Sequence, residues 1–338
     1  MLRTNLELED IKDVANSNIN WNKLKNKILL ISGATGFIGS YLCDVIRYRN
    51  DKFNDNIKII SLTRRGEESD ASVKYVKCDI NEEIELDENV DFILHLASNT
   101  HPKQYKEDPV GTITTNILGC LNLLNYGKKH NIDRFLLASS VEIYGDCIDK
   151  PVNEDYSGYI DCNNARSGYN ESKRLCESLC QSYKSQYGLD FVTATLSRII
   201  GPDRKEDTKA ISQFIGKALA NENIVLKSKG NQLYSYCYVT DAVYGILKIL
   251  TDGESANAYN IAAEIDNMTL GDYARFIANL AGMNVIFDIE NNASVSKATY
   301  ALLDNSKIKK LGWYPKYTVK EGLTKTYNVK KILMDGNV

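Results

Sequence analysis

The sequence predicts an α/β fold in which a doubly wound parallel sheet is followed by a smaller C-terminal α/β lobe. Short apolar, β-branched runs alternate with segments of helical period, and each parallel crossover needs such a helix. A glycine-rich stretch, Gly33 to Gly39, comes directly after the first run and opens a helical segment. This order of strand, tight turn and helix is typical of open α/β sheets. The apolar runs lie at 28–31, 57–60, 92–94, 135–138 and 192–196.

The chain is expected to divide into three parts. Residues 1–26 carry apolar positions at mixed helical spacing and predict a helical extension that docks on the main domain. Residues 27–200 form the dinucleotide-binding domain, to which 238–263 is expected to return. Residues 201–237 and 264–338 form the substrate lobe. No low-complexity linker separates them, so the cleft between domain and lobe is the expected site.

Helices in the C-terminal third are expected near 209–221, 239–251, 269–281 and 318–333. Thr269 and Asp304 are the predicted N-caps, because a short polar side chain can accept a hydrogen bond from the first turn. Gly282 and Gly312 are the predicted stops, because glycine adopts the left-handed conformation that commonly ends a helix.

Composition excludes several classes of protein. The 338 residues are 43% hydrophobic and 25% charged, as in ordinary globular proteins. A net charge of −3 gives no basic footprint for nucleic acid. No apolar run approaches the roughly 20 residues of a membrane span, and the early acidic residues do not resemble a signal peptide. The eight scattered cysteines form no metal-binding spacing. We therefore expect a cytoplasmic protein with reduced thiols, no metal, no membrane partner and a small-molecule substrate.

The glycine-rich stretch predicts a dinucleotide site. Glycines at 33, 36 and 39 permit a tight turn, close approach to a pyrophosphate, and close packing of helix on strand. The helix that comes next offers free N–H groups and a positive dipole end to the anion. The residues expected to contact the cofactor here are Gly33, Thr35, Gly36, Phe37, Ile38 and Gly39.

The end of the second strand bears on the choice of cofactor. An acidic residue there would accept hydrogen bonds from the ribose of NAD, but the sequence has Arg64 and Arg65 instead. Two guanidinium groups suit a 2′-phosphate. NADP is therefore favoured, NAD stays possible, and the alternative is that both arginines are merely solvated.

A catalytic constellation is predicted around one helix. Tyr169 and Lys173 are four residues apart and lie on the same helical face. A phenol has an unperturbed pKa of about 10, which a nearby ammonium lowers, so Tyr169 can exchange the proton of a carbinol. Ser140 follows a strand at the carboxyl edge of the sheet and can hydrogen-bond the same substrate oxygen. A Tyr/Lys pair at this spacing is, by itself, usually a surface pair. The presence of Ser140 at the carboxyl edge of the sheet makes the pair a candidate catalytic site.

Ordered matches along the chain carry a resemblance to a known family. The matching residues are Gly-Ala-Thr-Gly-Phe-Ile-Gly at 33–39, Asp79-Ile80, His95-Leu96-Ala97-Ser98, Asn116 with Gly119, Ser140 with Tyr144-Gly145, Tyr169 with Lys173, Gly201-Pro202, Tyr238-Val239-Thr240-Asp241 and Tyr259-Asn260-Ile261. With these, the sequence resembles an extended short-chain dehydrogenase/reductase of the NAD-dependent epimerase/dehydratase family, whose fold is the Rossmann fold. The resemblance runs from about Lys27 to near the C-terminus.

The resemblance implies roles that the residues alone do not. It implies a nucleotide-activated sugar as substrate and Ser140, Tyr169 and Lys173 as the catalytic triad, with Lys173 also holding the nicotinamide ribose. It implies a homodimer formed by the helices after Asn116 and Tyr169, which apolar Leu121, Leu123 and Leu124 permit. The further cofactor contacts it implies are Asp79, Ile80, Leu96, Ala97, Ser98 and Asn116.

Departures from the family narrow the reaction. The similar 4,6-dehydratases have an acid where this chain has Val141, so dehydration is disfavoured. Tyr234 stands where relatives carry an Arg that contacts the substrate diphosphate or glucuronate, and Arg198 stands where they often have Asn. Arg198 or Lys209 is a candidate replacement, and a buried structural Arg198 is an equal alternative. Glu142 either acts on a proton next to a carbonyl or satisfies backbone donors. The candidate substrate contacts are Thr100, Arg198, Lys209 and Tyr234.

The sequence thus predicts hydride transfer on a nucleotide-activated sugar or sugar alcohol, with ketone reduction slightly ahead of epimerisation. A dehydratase or decarboxylase of the same family is the alternative. A non-catalytic NAD(P)-binding sensor or scaffold is the alternative from another class, and the presence of Tyr169 and Lys173 counts against it.

Overall fold

The computed structural model describes residues 3–65, 67–98, 107–148, 150–204, 208–263, 268–289 and 300–336. Its strands are β1 (Ile28–Ser32), β2 (Lys58–Thr63), β3 (Val73–Lys77), β4 (Phe92–His95), β5 (Arg134–Ser140), β6 (Phe191–Leu196), β7 (Arg198–Ile200), β8 (Ile224–Leu226), β9 (Leu233–Tyr234), β10 (Tyr236–Tyr238), β11 (Asn257–Ile261), β12 (Val285–Phe287) and β13 (Tyr300–Ala301). Its α-helices are α1 (Asn5–Ala15), α2 (Phe37–Phe53), α3 (Pro109–His130), α4 (Ser167–Tyr187), α5 (Ala210–Leu219), α6 (Val239–Asp252), α7 (Leu270–Leu280), α8 (Ser306–Lys309) and α9 (Val319–Met334).

Seven parallel strands of the described residues form the central sheet in the order β11-β6-β5-β4-β1-β2-β3. Strand β1 pairs with β2 on one side and β4 on the other, with Ile31 opposite both Ser61 and Leu94. Strands β2 and β3 are therefore added on one side of β1, and β4, β5, β6 and β11 on the other side. In open α/β sheets the crevice at the carboxyl ends of such strands holds the ligand.

Alternate residues of the strands pack on opposite faces of the sheet, which confirms the doubly wound α/β prediction. Leu29 and Ile31 of β1 pack on the face that carries α1, α2 and α6. Leu30, between them, packs on the other face with residues of α3 and α4. A parallel sheet covered on both faces explains the nearly continuous apolar runs of the sequence.

The sequence prediction did not include strand β3. In this strand Val73, Tyr75 and Val76 are partly or fully buried, whereas Lys74 and Lys77 are exposed. The strand pairs with β2 at the edge of the sheet. Lysines commonly protect an edge strand from pairing with other chains. A search for continuous apolar runs therefore passes over it.

Outside the central sheet, the described residues form short parallel strand pairs, β7 with β10, β8 with β12, and β9 with β13. Helix α7 begins where the sequence predicts, because Thr269 caps it and Asp272 reaches back to the Thr269 N–H. Gly282 has a φ of +69° just after this helix. The predicted cap at Asp304 is wrong by one residue. Asn305 precedes α8, while the Asp304 carboxylate accepts from the N–H of Ser306.

The N-terminal extension is a helix docked on the rest of the chain. Helix α1 starts with a capping box between Thr4 and Glu7. Farther along it, buried Asp10 accepts hydrogen bonds from the hydroxyls of Tyr238 and Tyr317, at 3.1 and 2.6 Å, and pairs with Lys325 at 2.9 Å. The extension thereby contacts β10 and the last helix, α9.

Candidate active site

The glycine-rich turn is built for close backbone contact. Gly33 has a φ of +84°, and a Cβ there would lie 2.7 Å from the backbone nitrogen of Ala97. A Cβ at Gly39 would lie 2.2 Å from the carbonyl oxygen of Gly33, so helix α2 approaches the turn as closely as glycine allows. Gly36 is the N-cap of α2 and provides no side-chain cap. The first N–H groups of α2 can therefore bind an anion, and the turn fits the pyrophosphate of a dinucleotide.

The loop after β4 lies against this turn. The N–H of Leu96 donates to the carbonyl of Ser32 at 3.0 Å. The hydroxyl of Ser32 hydrogen-bonds Nδ1 of His95 at 2.7 Å. Complete burial lowers the pKa of His95 to about 3, with a smaller contribution from the charge of Lys173. His95 is therefore a neutral, hydrogen-bonded core residue that fixes the ends of β1 and β4.

Asn116, completely buried in α3, connects the cofactor loop to helix α4. Its side-chain oxygen accepts from the hydroxyl of Ser98 at 2.8 Å, and its amide nitrogen donates to the hydroxyl of Ser172 at 2.9 Å. The Ser172 hydroxyl in turn donates to the carbonyl of Tyr169 at 2.8 Å. A hydrogen-bond network of this kind restricts the arrangement of its members.

The predicted catalytic residues lie around the end of β5. Tyr169 and Lys173 are both buried, and the Lys173 ammonium donates to the carbonyl of Ala138 at 2.9 Å. Ala138 precedes Ser140 by two residues on β5, so this bond anchors α4 beside Ser140. The Ser140 hydroxyl accepts from the N–H of Glu142 at 3.3 Å. Burial lowers the pKa of Lys173 from its ordinary value.

Glu142 and Arg198 come together at the same edge. Asn170, next to Tyr169, donates to the carbonyl of Glu142 at 3.0 Å. Nη2 of Arg198 lies 3.3 Å from Oε1 of Glu142. The Arg198 guanidinium carbon lies 3.7 Å from the centre of the Tyr234 ring. The structure thus brings these three predicted residues into one cluster.

The other predicted cofactor residues lie at the ends of β2 and β3. Arg64 and Arg65 are exposed just after β2. After β3, exposed Asp79 accepts from the N–H of Asn81 at 3.0 Å, and the carbonyl of Ile80 accepts from Asn122 of α3 at 3.0 Å. These positions fit the edge that would hold the adenosine end of a dinucleotide.

The remaining predicted substrate residues are less informative. Lys209 is the N-cap residue of α5, and Thr100 lies outside the described residues. Among the residues that the structure describes, no group of His, Cys, Asp and Glu could hold a metal ion. No helix within those ranges is long and apolar enough to cross a membrane.

Sequence reasoning missed a group of charged residues beside the glycine-rich turn. Arg3 donates to the hydroxyl of Ser40 at 3.0 Å and to Asp44 at 2.8 Å. Buried Glu7 accepts from Arg204 at 2.6 Å. The one available signal was the Thr-x-x-Glu pattern of Thr4 and Glu7, which predicts a helix start but none of these long-range partners.

The chain matches the NAD dependent epimerase/dehydratase family over residues 29–262, which is more than half of its length. The chain belongs to this family. The resemblance drawn from the motifs is confirmed, and the chain is an NAD(P)-dependent enzyme of the extended short-chain dehydrogenase/reductase type. The alternative of a non-catalytic sensor or scaffold is accordingly set aside.

Known relatives of this family member act on nucleotide sugars. UDP-glucuronic acid decarboxylase 3 of Arabidopsis thaliana is 33% identical over 307 residues, which cover 88% of this chain and 87% of the relative. A UDP-glucose 4-epimerase of Thermotoga maritima, solved with UDP-glucose, superposes with a TM-score of 0.76 at 20% identity, over 91% of this chain and 99% of that one. A dTDP-glucose 4,6-dehydratase of Streptomyces venezuelae, solved with NAD, also gives 0.76 at 22% identity, over 90% and 97%. The two solved structures show the same fold.

Proposed function

We propose that the chain transfers a hydride between a nicotinamide cofactor and a carbinol carbon of a nucleotide-activated sugar, with Ser140, Tyr169 and Lys173 as catalytic residues. One observation carries the proposal. The bond from Lys173 to Ala138 holds the Tyr169 helix against the end of β5, where Ser140 lies, at the edge that carries the glycine-rich turn.

Each of these residues has a distinct task. Tyr169 takes the proton of the substrate carbinol and gives it back in the reverse step. Lys173, one helical turn away, favours the phenolate by its positive charge. Ser140 hydrogen-bonds the substrate oxygen and fixes its orientation. The nicotinamide, when bound, accepts a hydride or returns it.

The overall reaction depends on the fate of the ketone that the first oxidation forms. If the hydride returns to the other face of this ketone, the sugar is epimerised, and a substrate that arrives as a ketone is simply reduced. Because Val141 offers no proton donor, dehydration stays disfavoured, as the sequence predicts. The chain is therefore proposed as a keto-reductase or epimerase.

Decarboxylation is the second candidate, and the similarity to UDP-glucuronic acid decarboxylases favours it. In a uronic acid, oxidation of the neighbouring carbinol places a ketone β to the carboxylate. The bond to the carboxyl carbon can then break with loss of CO₂, because the carbonyl accepts the electron pair as an enolate. A proton replaces the carboxyl group, and the returning hydride reduces the ketone.

The choice between the two cofactors rests on two opposing observations. Exposed Arg64 and Arg65 suit the 2′-phosphate of NADP, whereas structural neighbours were solved with NAD. Fluorescence titration of the purified chain with NADH and NADPH separates the two. If Arg64→Ser/Arg65→Ser lowers affinity for NADPH and leaves NADH unchanged, the arginines read the 2′-phosphate. Equal affinities in both proteins would refute the NADP preference.

The catalytic proposal is tested with UDP-glucose, UDP-galactose, UDP-glucuronic acid and a 4-keto sugar nucleotide, with products resolved by chromatography and CO₂ measured. Tyr169→Phe should lower turnover by about 10²- to 10⁴-fold, the usual contribution of general acid–base catalysis. Tyr187→Phe, which removes a phenol hydroxyl from the exposed end of the same helix, is the control and should retain wild-type turnover. An active Tyr169→Phe enzyme would refute the assignment.

We also propose a homodimer formed through α3 and α4. Of the apolar residues expected to permit this contact, Leu123 and Leu124 are fully buried in the core of the subunit, and Leu121 is partly buried against the same cluster. Leu118 on α3 and Leu175 on α4 are 39% and 43% exposed and present apolar surface instead. Light scattering on the wild type and on Leu118→Asp/Leu175→Asp should give a dimer and a monomer, and two equal masses would refute the interface.

A further inference from the structure

We propose that Arg198 binds an oxyanion of the substrate, and that Tyr234 and Glu142 hold its guanidinium in place for that purpose. The inference rests on the proposed function, because it assigns a ligand group within the same site. Relatives carry an arginine at the position of Tyr234. In this chain Arg198, on strand β7, supplies the guanidinium instead.

The strands place Arg198 and Tyr234 side by side. Strand β7, which starts at Arg198, pairs in parallel with β10, and the N–H of Arg198 donates to the carbonyl of Ser235, the residue after Tyr234. The ring of Tyr234 covers one face of the guanidinium at 3.7 Å. Stacking on an aromatic face holds a planar guanidinium without using its N–H donors.

Glu142 aims this guanidinium at the reacting end of the site. Its carboxylate lies 3.3 Å from Nη2 of Arg198, and it follows Ser140 by two residues. The other terminal nitrogen, Nη1, is buried and has no hydrogen-bond partner among the described residues. A buried N–H donor without an acceptor is costly, and an acceptor supplied by a bound ligand would remove that cost.

A structural arginine in the same chain looks different. Arg134 pairs with Asp190 through Nε at 2.6 Å, and its Nη1 donates to the carbonyls of Leu250 and Gly253 at 3.1 and 2.8 Å. Within the described ranges, no such backbone acceptor serves Nη1 of Arg198. An oxyanion fits this place, since the fork of N–H donors of arginine matches phosphate and carboxylate oxygens.

The oxyanion can come from the diphosphate of the nucleotide or from the carboxylate of a uronic sugar. Calorimetric binding of UDP, UDP-glucose and UDP-glucuronic acid to the cofactor-loaded enzyme distinguishes them. Arg198→Asn, which installs the residue that relatives often have, should weaken binding by about 10- to 100-fold, the usual worth of a hydrogen bond to a charged group. A loss for all three ligands identifies the diphosphate, and a loss confined to UDP-glucuronic acid identifies the carboxylate.

Controls separate binding from folding. Arg275→Asn is the matched control, because Arg275 also pairs with a carboxylate, Asp272, and lies over a ring, Phe287, but is exposed on α7. It should bind every ligand as the wild type does. Arg198→Lys keeps the charge and lacks the planar fork, so it should bind the ligands more weakly than the wild type while retaining the wild-type melting temperature. If Arg198→Asn folds poorly, the affinity of Arg198→Lys is the test of the inference.

Two results would overturn the inference in distinguishable ways. If the wild type binds the nucleotide sugars and both Arg198 variants bind them within twofold of it, Arg198 is not the anion ligand, and the proposed function is untouched. If the wild type binds no nucleotide sugar at all, the proposed function fails together with this inference.

Discussion

Glu7→Gln tests how firmly the N-terminal extension is bound to the domain that holds the glycine-rich turn. The carboxylate of Glu7 is fully buried. One oxygen accepts from Tyr41 at 2.7 Å and from Arg3 at 3.1 Å, and the other accepts from the N–H of Thr4 at 2.9 Å and from Arg204 at 2.6 Å. Whichever way the substituted amide rotates, its NH₂ group faces donors.

The expected cost follows from the charges that lose their partner. The side chains of Arg3 and Arg204 are only 4% and 18% exposed, so the variant leaves guanidinium charge with less compensation in a dry environment. Breaking a buried ion pair costs about 3–5 kcal/mol. For a chain of this size that corresponds to a fall in melting temperature on the order of 4–7 °C.

Scanning calorimetry or dye-monitored melting measures this fall, with Glu9→Gln as the control. Glu9 lies on the same helix and is exposed, so its substitution should change stability by less than about 0.5 kcal/mol. If Glu7→Gln melts within 1–2 °C of Glu9→Gln, at about neutral pH, the buried carboxylate does not hold the extension in place and the reasoning from burial fails.

The pH dependence provides a second check on Glu7. Burial acts to raise its pKa, but hydrogen bonds from Arg204, Thr4 and Tyr41 outweigh this, so the pKa lies below its ordinary 4.5. A lowered folded-state pKa means that the carboxylate stabilises the fold above the unfolded-state pKa, and that this contribution is lost as pH falls through the folded-state pKa. The difference between wild type and Glu7→Gln should therefore shrink below about pH 4.

Two further predictions concern a glycine and a buried acid. Gly39→Ala should abolish dinucleotide binding in a fluorescence titration, because the added Cβ would lie 2.2 Å from the Gly33 carbonyl oxygen. Gly216→Ala is the control, since Gly216 is exposed on a helix and an added Cβ would meet nothing within 4 Å. This control should retain binding, and its free energy of unfolding in urea should rise by up to about 1 kcal/mol. Burial raises the pKa of Asp241 from 3.8 to about 7, so the folded state retains a proton there and stability should fall as pH rises from about 4 to 7; Asp241→Asn should flatten that part of the stability curve, and an unchanged slope would contradict it.

Features encoded by neighbouring residues were predictable from the sequence. The glycine-rich turn depends on seven consecutive residues, and the placement of Tyr169 and Lys173 on one face of α4 depends on one helical turn, so local pattern is sufficient for both placements. The helix limits of the lobe followed from caps such as Thr269 for the same reason. The edge strand β3 escaped because its lysines break the apolar pattern that buried strands show.

Contacts between distant segments were not predictable. Arg198 meets Glu142 and Tyr234 only because the fold brings β7, β9 and the end of β5 together. The assignment of Leu123 and Leu124 to a dimer surface failed for a related reason. Helical period shows that a stripe of α3 is apolar, but whether that stripe faces the core or a second chain depends on which side packs on the sheet.

The N-terminal extension adds something that the family match does not contain, since that match begins at residue 29 and α1 ends at Ala15. Glu7 of α1 joins Tyr41 of α2 to Arg204 in the loop after β7. One turn later, Asp10 joins β10 to α9 through Tyr238 and Lys325. The helix that begins at the glycine-rich turn and the strands that position Arg198 are therefore tied together by a single helix. Both carboxylates, of Glu7 and Asp10, are buried among cations and hydroxyls. Neutralising these carboxylates should therefore break the connection between the two parts of the fold even when helix α1 itself is present.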